Sequence, residues 1–95
     1  MGLGALGPLW AIRAGHENIA ELLLNAGAEI KYLESEFQRS PLLLAAMYGR
    51  EPTVKRLLAA GANVEAIDKQ GANALLLALS NNHLKTATFL IEYGP

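Results

Sequence analysis

The chain contains no cysteine, few aromatic residues and no excess of positive charge. Without cysteine it has neither disulfides nor a thiolate metal site, which excludes a small secreted protein held together by disulfides. The same absence favours an intracellular location, cytoplasmic or nuclear, where thiols stay reduced. Eight basic residues face nine acidic ones, for a net charge of −1. Because nucleic-acid binders carry a basic surplus, we expect no nucleic-acid partner.

Long apolar runs and β-branched residues are also scarce. No run approaches the roughly 20 apolar residues that span a bilayer, so we expect no membrane partner. The chain has only five isoleucines and two valines, whereas 18 leucines and 16 alanines make up 34 of its 95 residues. Leucine and alanine are strong helix formers, and β-branched residues favour strands. The composition therefore predicts an all-α protein.

Three segments of the chain repeat one another. They align without gaps, and their last shared glycines are 34 and then 33 residues apart. A repeat of this length is typical of stacked helical units that bury a continuous core between neighbours. We expect a single domain over residues 1–95. Its copies one, two and three cover approximately residues 4–33, 34–66 and 67–95.

Each copy has the pattern of two short helices. A first helix of about two turns carries an apolar cluster, and a second helix has apolar residues at spacings of three and four. Ser40 and Pro41 are a good helix start, with a hydroxyl as N-cap and proline at the first position. The helices end at residues that accept a left-handed backbone. These residues are Gly15, Gly49 and Asn82 for the first helices, and Gly27, Gly61 and Gly94 for the second.

This pattern of helices and stop residues resembles the ankyrin repeat. The family sequence runs roughly D-x-x-G-x-T-P-L-H-x-A-A, then G-H, a leucine-rich helix and G-A. The resemblance implies an all-α ankyrin-repeat solenoid of three helix–turn–helix units with projecting loops. It covers nearly the whole chain. The residues that carry it are Gly15-His16, Leu22–Leu24 and Gly27-Ala28 in copy one; Ser40-Pro41-Leu42, Ala45-Ala46, Gly49, Leu57-Leu58 and Gly61–Val64 in copy two; and Asp68, Gly71, Ala78, His83, Leu90-Ile91 and Gly94 in copy three.

Copy one and the first long loop depart from the family pattern. Residues 1–7 resemble a truncated or altered start of the repeat rather than a complete repeat loop. The loop over residues 28–40 carries one extra residue, which we place near Tyr32-Leu33. Gln38 stands where the family has glycine, and we expect the loop to bulge.

Residues that suggest chemistry have structural explanations in this pattern. His16 and His83 occupy the same repeat position, and two repeats of separation exclude shared metal coordination. Glu34 and Glu36 lie on a loop where neither carboxyl is expected to have a raised pKa. No nucleophile motif or phosphate-binding loop is present. We therefore expect no enzymatic activity, no metal and no cofactor.

One cluster of basic residues lies on or beside the second helix of copy two, at Arg50, Lys55 and Arg56. Such a group is typical of a solvated helix face. The alternative is a site for a phosphate or an acidic partner.

The ankyrin resemblance implies a binding surface on the concave side, formed by loop tips and by the ends of the first helices. Phe37, Met47 and Tyr48 are expected to converge there as an aromatic and thioether patch. Alternatively, Phe37 folds under its own loop and supports it. The candidate binding residues are Arg13, Glu36, Phe37, Arg39, Met47, Tyr48, Lys69, Gln70, Ser80 and Asn81.

The resemblance implies a protein–protein interaction module. Copies one and three retain apolar residues on their outer faces, where terminal repeats are usually polar. We therefore expect the chain to form part of a longer ankyrin array. The alternative is a structural unit that self-associates through its end repeats.

Overall fold

Three helix pairs make up the computed structural model, which describes residues 3–26, 33–34 and 36–93 and, for residues 3–8, the backbone alone. No strand occurs in this part of the chain. The predicted all-α arrangement of three helix–turn–helix units is therefore confirmed. The helices are α1 (Leu3–Ala14) with α2 (Glu17–Asn25), α3 (Pro41–Met47) with α4 (Glu51–Ala59), and α5 (Ala74–Ser80) with α6 (Leu84–Tyr93).

The helices form two layers. The first helices α1, α3 and α5 contact one another in sequence order, and so do the second helices α2, α4 and α6. The core lies between the layers and between adjacent copies. It is most complete at α3, where residues 41–46 are all buried. No copy could bury its apolar faces without its neighbours, as stacked repeats require.

Side-chain caps begin the first helices of copies two and three. The Oγ of Ser40 accepts a hydrogen bond from the Leu43 N–H at 3.3 Å, with Pro41 at the first position, as predicted. In copy three the Oδ1 of Asn73 accepts from the Leu76 N–H at 2.9 Å. Each cap satisfies a backbone donor that has no partner inside its helix.

The predicted stops of the first helices are confirmed. Gly15, Gly49 and Asn82 have φ values of +82°, +71° and +63°. Gly61 ends the second helix of copy two in the same left-handed region, with φ +99°. The corresponding stops of the other two copies, at positions 27 and 94, lie outside the described residues.

The first helix of copy one is longer than the two turns that we expected. Whereas α3 and α5 have seven residues each, α1 has 12 and begins at Leu3. Residues 3–7, which we expected to be a truncated or altered start of the repeat, therefore belong to the helix.

Each long loop is held by a carboxylate that accepts hydrogen bonds from its own turn. In copy three the Asp68 Oδ1 accepts from the N–H groups of Gln70 and Ala72, both at 2.9 Å. In copy two Glu34, 34 positions earlier, accepts from the N–H groups of Glu36 at 3.1 Å and of the following residue at 2.6 Å. The two acids therefore occupy equivalent places in the repeat.

The extra residue of the first loop lies later than we expected. The Asp68 N–H donates to the Ala72 carbonyl four residues on, whereas the Glu34 N–H donates to the Arg39 carbonyl five residues on. The insertion is therefore between Glu34 and Arg39, not near Tyr32-Leu33. A glutamate suits this longer turn because its side chain reaches one methylene further than aspartate. The part of the expected bulge before position 33 lies outside the described residues.

Gln38 takes a backbone conformation that suits glycine. Its φ is +57°, and Gly71, which closes the equivalent turn in copy three, has φ +84°. A residue with a Cβ is strained in this region because the Cβ approaches a carbonyl oxygen.

Leu57 is buried without solvent exposure, as the repeat pattern predicts for the core face of the second helix. We expect Leu57→Ala to lower the free energy of unfolding by about 2 to 5 kcal/mol, through lost burial and the cavity left behind. Urea unfolding followed by circular dichroism measures the change. Leu22→Ala, at a leucine that is mostly exposed, is the matched control and should cost far less. Equal losses in the two variants would contradict this placement of the core.

Replacing Gln38 by glycine should stabilise the protein. The expected gain is up to about 1 kcal/mol, because relief of the left-handed strain exceeds the entropy that glycine loses on folding. Gln38→Ala removes the same polar group but keeps the Cβ, so it should give no gain. A thermal melt in which both variants shift equally would locate the effect in the lost amide and not in the backbone.

Candidate functional site

The structure divides the ten predicted binding residues into two rows. The loop row lies in the turns before α3 and α5, and the helix-end row lies at the C-terminal ends of α1, α3 and α5. Most of α3, a helix of seven residues and about 10 Å, separates Phe37 from Met47 and Tyr48. These three residues therefore do not form the contiguous cluster that we expected. The loop row comprises Glu36, Phe37, Arg39, Lys69 and Gln70, and the helix-end row comprises Arg13, Met47, Tyr48, Ser80 and Asn81.

An ion pair joins the loops of copies two and three. The Arg39 Nε donates to the Asp68 Oδ2 at 3.0 Å, and the Asp68 side chain has no solvent exposure. A backbone hydrogen bond of 2.8 Å from the Lys69 N–H to the Phe37 carbonyl runs beside it. The two loop tips are therefore held against each other by one charged and one neutral contact.

Phe37 and Arg39 support the loop as well as facing outward. The Arg39 guanidinium lies 4.5 Å from the centroid of the Phe37 ring, and both residues are half-buried. Because Arg39 is committed to Asp68, its charge is largely compensated within the chain. In the loop row, the exposed residues are Glu36, Lys69 and Gln70.

In the helix-end row, the central residues differ from their neighbours in burial. Met47 and Tyr48 are half-buried and pack against the core, whereas Arg13, Ser80 and Asn81 are exposed. The Tyr48 ring therefore presents part of its surface to solvent from a position that packing holds in place.

Two of the basic residues of copy two form hydrogen bonds to copy one. The Arg50 Nε donates to the Ile12 carbonyl at the end of α1 at 3.0 Å, and its guanidinium lies 5.9 Å from the Tyr48 ring centroid. The Arg56 Nε donates to the Asn25 Oδ1 at 3.0 Å. Both arginines thus tie copy two to copy one. Sequence reasoning missed these roles, and no local pattern marks them.

Lys55 is the third residue of the basic cluster, and it forms an ion pair within its own helix. Its Nζ lies 3.5 Å from the Glu51 Oε2, four residues earlier along α4. Each of the three cations therefore has a partner within the chain.

The two histidines lie at equivalent junctions of the repeat. The His16 ring is 5.1 Å from the Trp10 ring, and the His83 ring packs on Gly49 of copy two. Among the described residues, no group of three or more histidine, aspartate or glutamate side chains is arranged to hold a metal ion. No helix in this part of the chain is both long and apolar enough to cross a bilayer.

The hydrogen bonds of the loops lower the pKa values of Asp68 and Glu34. Burial raises the pKa of Asp68, but hydrogen bonds from the Ala72 N–H, Arg39 and the Gln70 N–H outweigh it and hold the pKa below its ordinary value of 3.8. For Glu34, burial is likewise outweighed by three backbone N–H donors and the charge of Arg39, so its pKa lies below 4.5. Both groups are stabilised as anions.

Acid should therefore destabilise the protein through these two carboxylates. Because their pKa values are lower in the folded than in the unfolded chain, the unfolded chain takes up protons first as the pH falls. The stabilisation is complete above the ordinary pKa values and is lost as the pH falls through the folded ones. We expect the melting temperature to decline below about pH 5.

Asp68→Asn isolates the contribution of the ion pair to that decline. The amide can still accept the two backbone hydrogen bonds but carries no charge for Arg39. Melting temperatures at a series of pH values should show a lower plateau at neutral pH and a shallower acid decline than in the parent. Parallel pH curves would show that Asp68 does not have a lowered pKa.

Comparison with known proteins identifies the fold. The sequence profile of ankyrin repeats, in three copies, matches residues 9–95. Ankyrin repeat and SOCS box protein 6 of Pongo abelii is 40 % identical over 73 residues, which are 76 % of this chain and 17 % of that protein. The ARF GTPase-activating protein Git of Drosophila melanogaster is 32 % identical over 82 residues, 86 % of this chain and 11 % of its own length. Mouse Rabankyrin-5 is 32 % identical over 94 residues, 87 % of this chain and 8 % of its own length.

The chain thus spans less than a fifth of each of these relatives. Ankyrin repeats are non-catalytic modules that generally mediate protein–protein interaction. The profile match extends from Leu9, within α1, to the last residue of the chain and includes the five other helices in full. The chain belongs to the ankyrin repeat family.

Proposed function

We propose that this chain binds another protein through its concave surface, made of the loop row and the helix-end row. The observation that carries the proposal is the half-exposed Tyr48 at the centre of the helix-end row, next to the exposed ends of α1 and α5. Aromatic side chains held near the centre of a surface are the residues that dominate binding energy at protein interfaces.

The scaffold supports this use of Tyr48. Packing against the core fixes one side of the ring, and the Arg50 guanidinium beside it is itself anchored on α1. Little side-chain entropy remains to be lost on binding, which lowers the cost of association. Met47, the residue before it, adds an adaptable thioether surface.

The loop row adds polar contacts around this anchor. Its tips are fixed by the Arg39–Asp68 ion pair, so their exposed side chains are presented on an ordered backbone. Glu36 and Lys69 contribute one charge of each sign, and Arg13 adds a cation in the helix-end row. Rim charges of this kind affect partner choice and association rate more than affinity.

Tyr48→Ala should weaken partner binding at least about tenfold, equivalent to 1.4 kcal/mol. Binding proteins are first isolated with the parent domain, and the affinity of a purified partner is then measured by calorimetry. Because the ring is half-buried, the variant will also lose some stability. Affinities are therefore compared at a temperature at which circular dichroism shows both proteins folded.

Lys85→Ala is the matched control, since Lys85 is exposed on the outer helix α6. It should change neither affinity nor stability. A partner whose affinity survives loss of both the Tyr48 and Phe37 side chains would show that recognition does not use the concave surface.

A further inference from the structure

The two outer faces of the stack expose the positions that the inner junctions bury. Trp10 in copy one is 54 % exposed, whereas the equivalent Leu44 and Leu77 are 3 % and 6 % exposed. Ile19 is similarly exposed where the other copies have buried threonines. We call Trp10 and Ile19 the leading face.

Copy three shows the reverse pattern. Leu79 is 48 % exposed, and its equivalents Ala46 and Ile12 are buried. Leu76 and Ile91 are exposed in the same way, and with Leu79 they form the trailing face. The residues of both faces occupy repeat positions that are buried where two copies meet inside the chain. The trailing face of one chain could therefore pack against the leading face of a second chain.

Each inner junction brings a side chain onto the stop residue of the preceding first helix. At the first junction the Arg50 Nη2 lies 3.0 Å from the place of a Cβ on Gly15. At the second, the Nδ1 of His83 lies only 2.5 Å from the place of a Cβ on Gly49, and two further ring atoms are closer than 3.0 Å. Since Cβ atoms do not approach other atoms so closely, a residue with a Cβ at this stop would force the histidine ring to move.

The trailing face has a Cβ at this point. Asn82 is the third stop residue and has φ +63°, close to the +71° of Gly49. If a second copy stacked on copy three in the same register, the residue placed on Asn82 would be His16, which is equivalent to His83. Its ring would meet the Asn82 Cβ as the His83 ring would meet a Cβ on Gly49.

We propose that Asn82 closes the trailing face to a second copy of this chain. The apolar faces alone would permit head-to-tail stacking, and a heterologous contact of that kind continues into open filaments. The single Cβ of Asn82 opposes it at the point where His16 would have to lie. This inference is independent of the concave surface and makes Asn82 a determinant of assembly.

The test is the oligomeric state of Asn82→Gly, measured by sedimentation equilibrium over a wide range of concentration. Glycine keeps the left-handed stop and removes the Cβ, so we expect concentration-dependent association with a dissociation constant at least about tenfold lower than that of the parent. Asn82→Ala is the matched control. It also lacks the amide but retains the Cβ, and it should behave as the parent does.

The His16→Ala variant tests the same contact from the other side. His16 is exposed, so the variant should fold, and loss of the ring should likewise permit association. A glutamate introduced on one face then tests whether the chains stack head to tail. In the Asn82→Gly background, neither Ile19→Glu nor Leu79→Glu should associate alone, whereas a mixture of the two should form heterodimers.

Three results would overturn the proposal. The first is a parent that already associates through both faces as tightly as Asn82→Gly. The second is an Asn82→Gly variant that is folded and as monomeric as the parent. The third is equal association of Asn82→Gly and Asn82→Ala, which would show that the Cβ is not the obstacle.

Discussion

The carboxylate of Asp68 is the group on which the arrangement of the two long loops depends. It has no solvent exposure and accepts hydrogen bonds from two backbone N–H groups of its own turn and from Arg39 of the neighbouring loop. A buried carboxylate is costly unless such partners are all present. The turn that contains Asp68 and the preceding loop that contains Arg39 must therefore both keep their positions for the carboxylate to be stabilised. Because Arg39 also covers Phe37, a single charge orders the tips of both loops.

The helix pairs could be predicted from the sequence because their signals are local and occur three times. Glycine or asparagine at the stops, and serine or asparagine at the starts of α3 and α5, specify a backbone conformation within a few residues. The contacts of the candidate site have no such signal. Arg39, Arg50 and Arg56 find their partners 29, 38 and 31 residues away along the chain. An arginine that anchors a neighbouring copy and one that is free to bind a partner look the same in sequence.

The loop before α3 shows where pattern matching becomes ambiguous. One inserted residue can be placed at several positions without altering the apolar pattern, and only the backbone hydrogen bonds decide among them. A signal was present, since Glu34 and Asp68 lie seven residues after equivalent glycines. The expected convergence of Phe37 with Tyr48 was wrong for a different reason: the length of α3 lies between them.

The burial of residues 41–46 in α3 has a consequence for the dynamics of the surface. In a stack where each unit contacts only its neighbours, local opening begins at the outer units, and the middle unit opens last. We therefore expect the amide hydrogens of α3 to exchange most slowly with solvent. Tyr48 directly follows this helix, whereas Arg13 and Asn81 belong to the outer units. A partner bound at the proposed concave surface would thus rest on the slowest-opening segment at its centre and on faster-opening segments towards its edges.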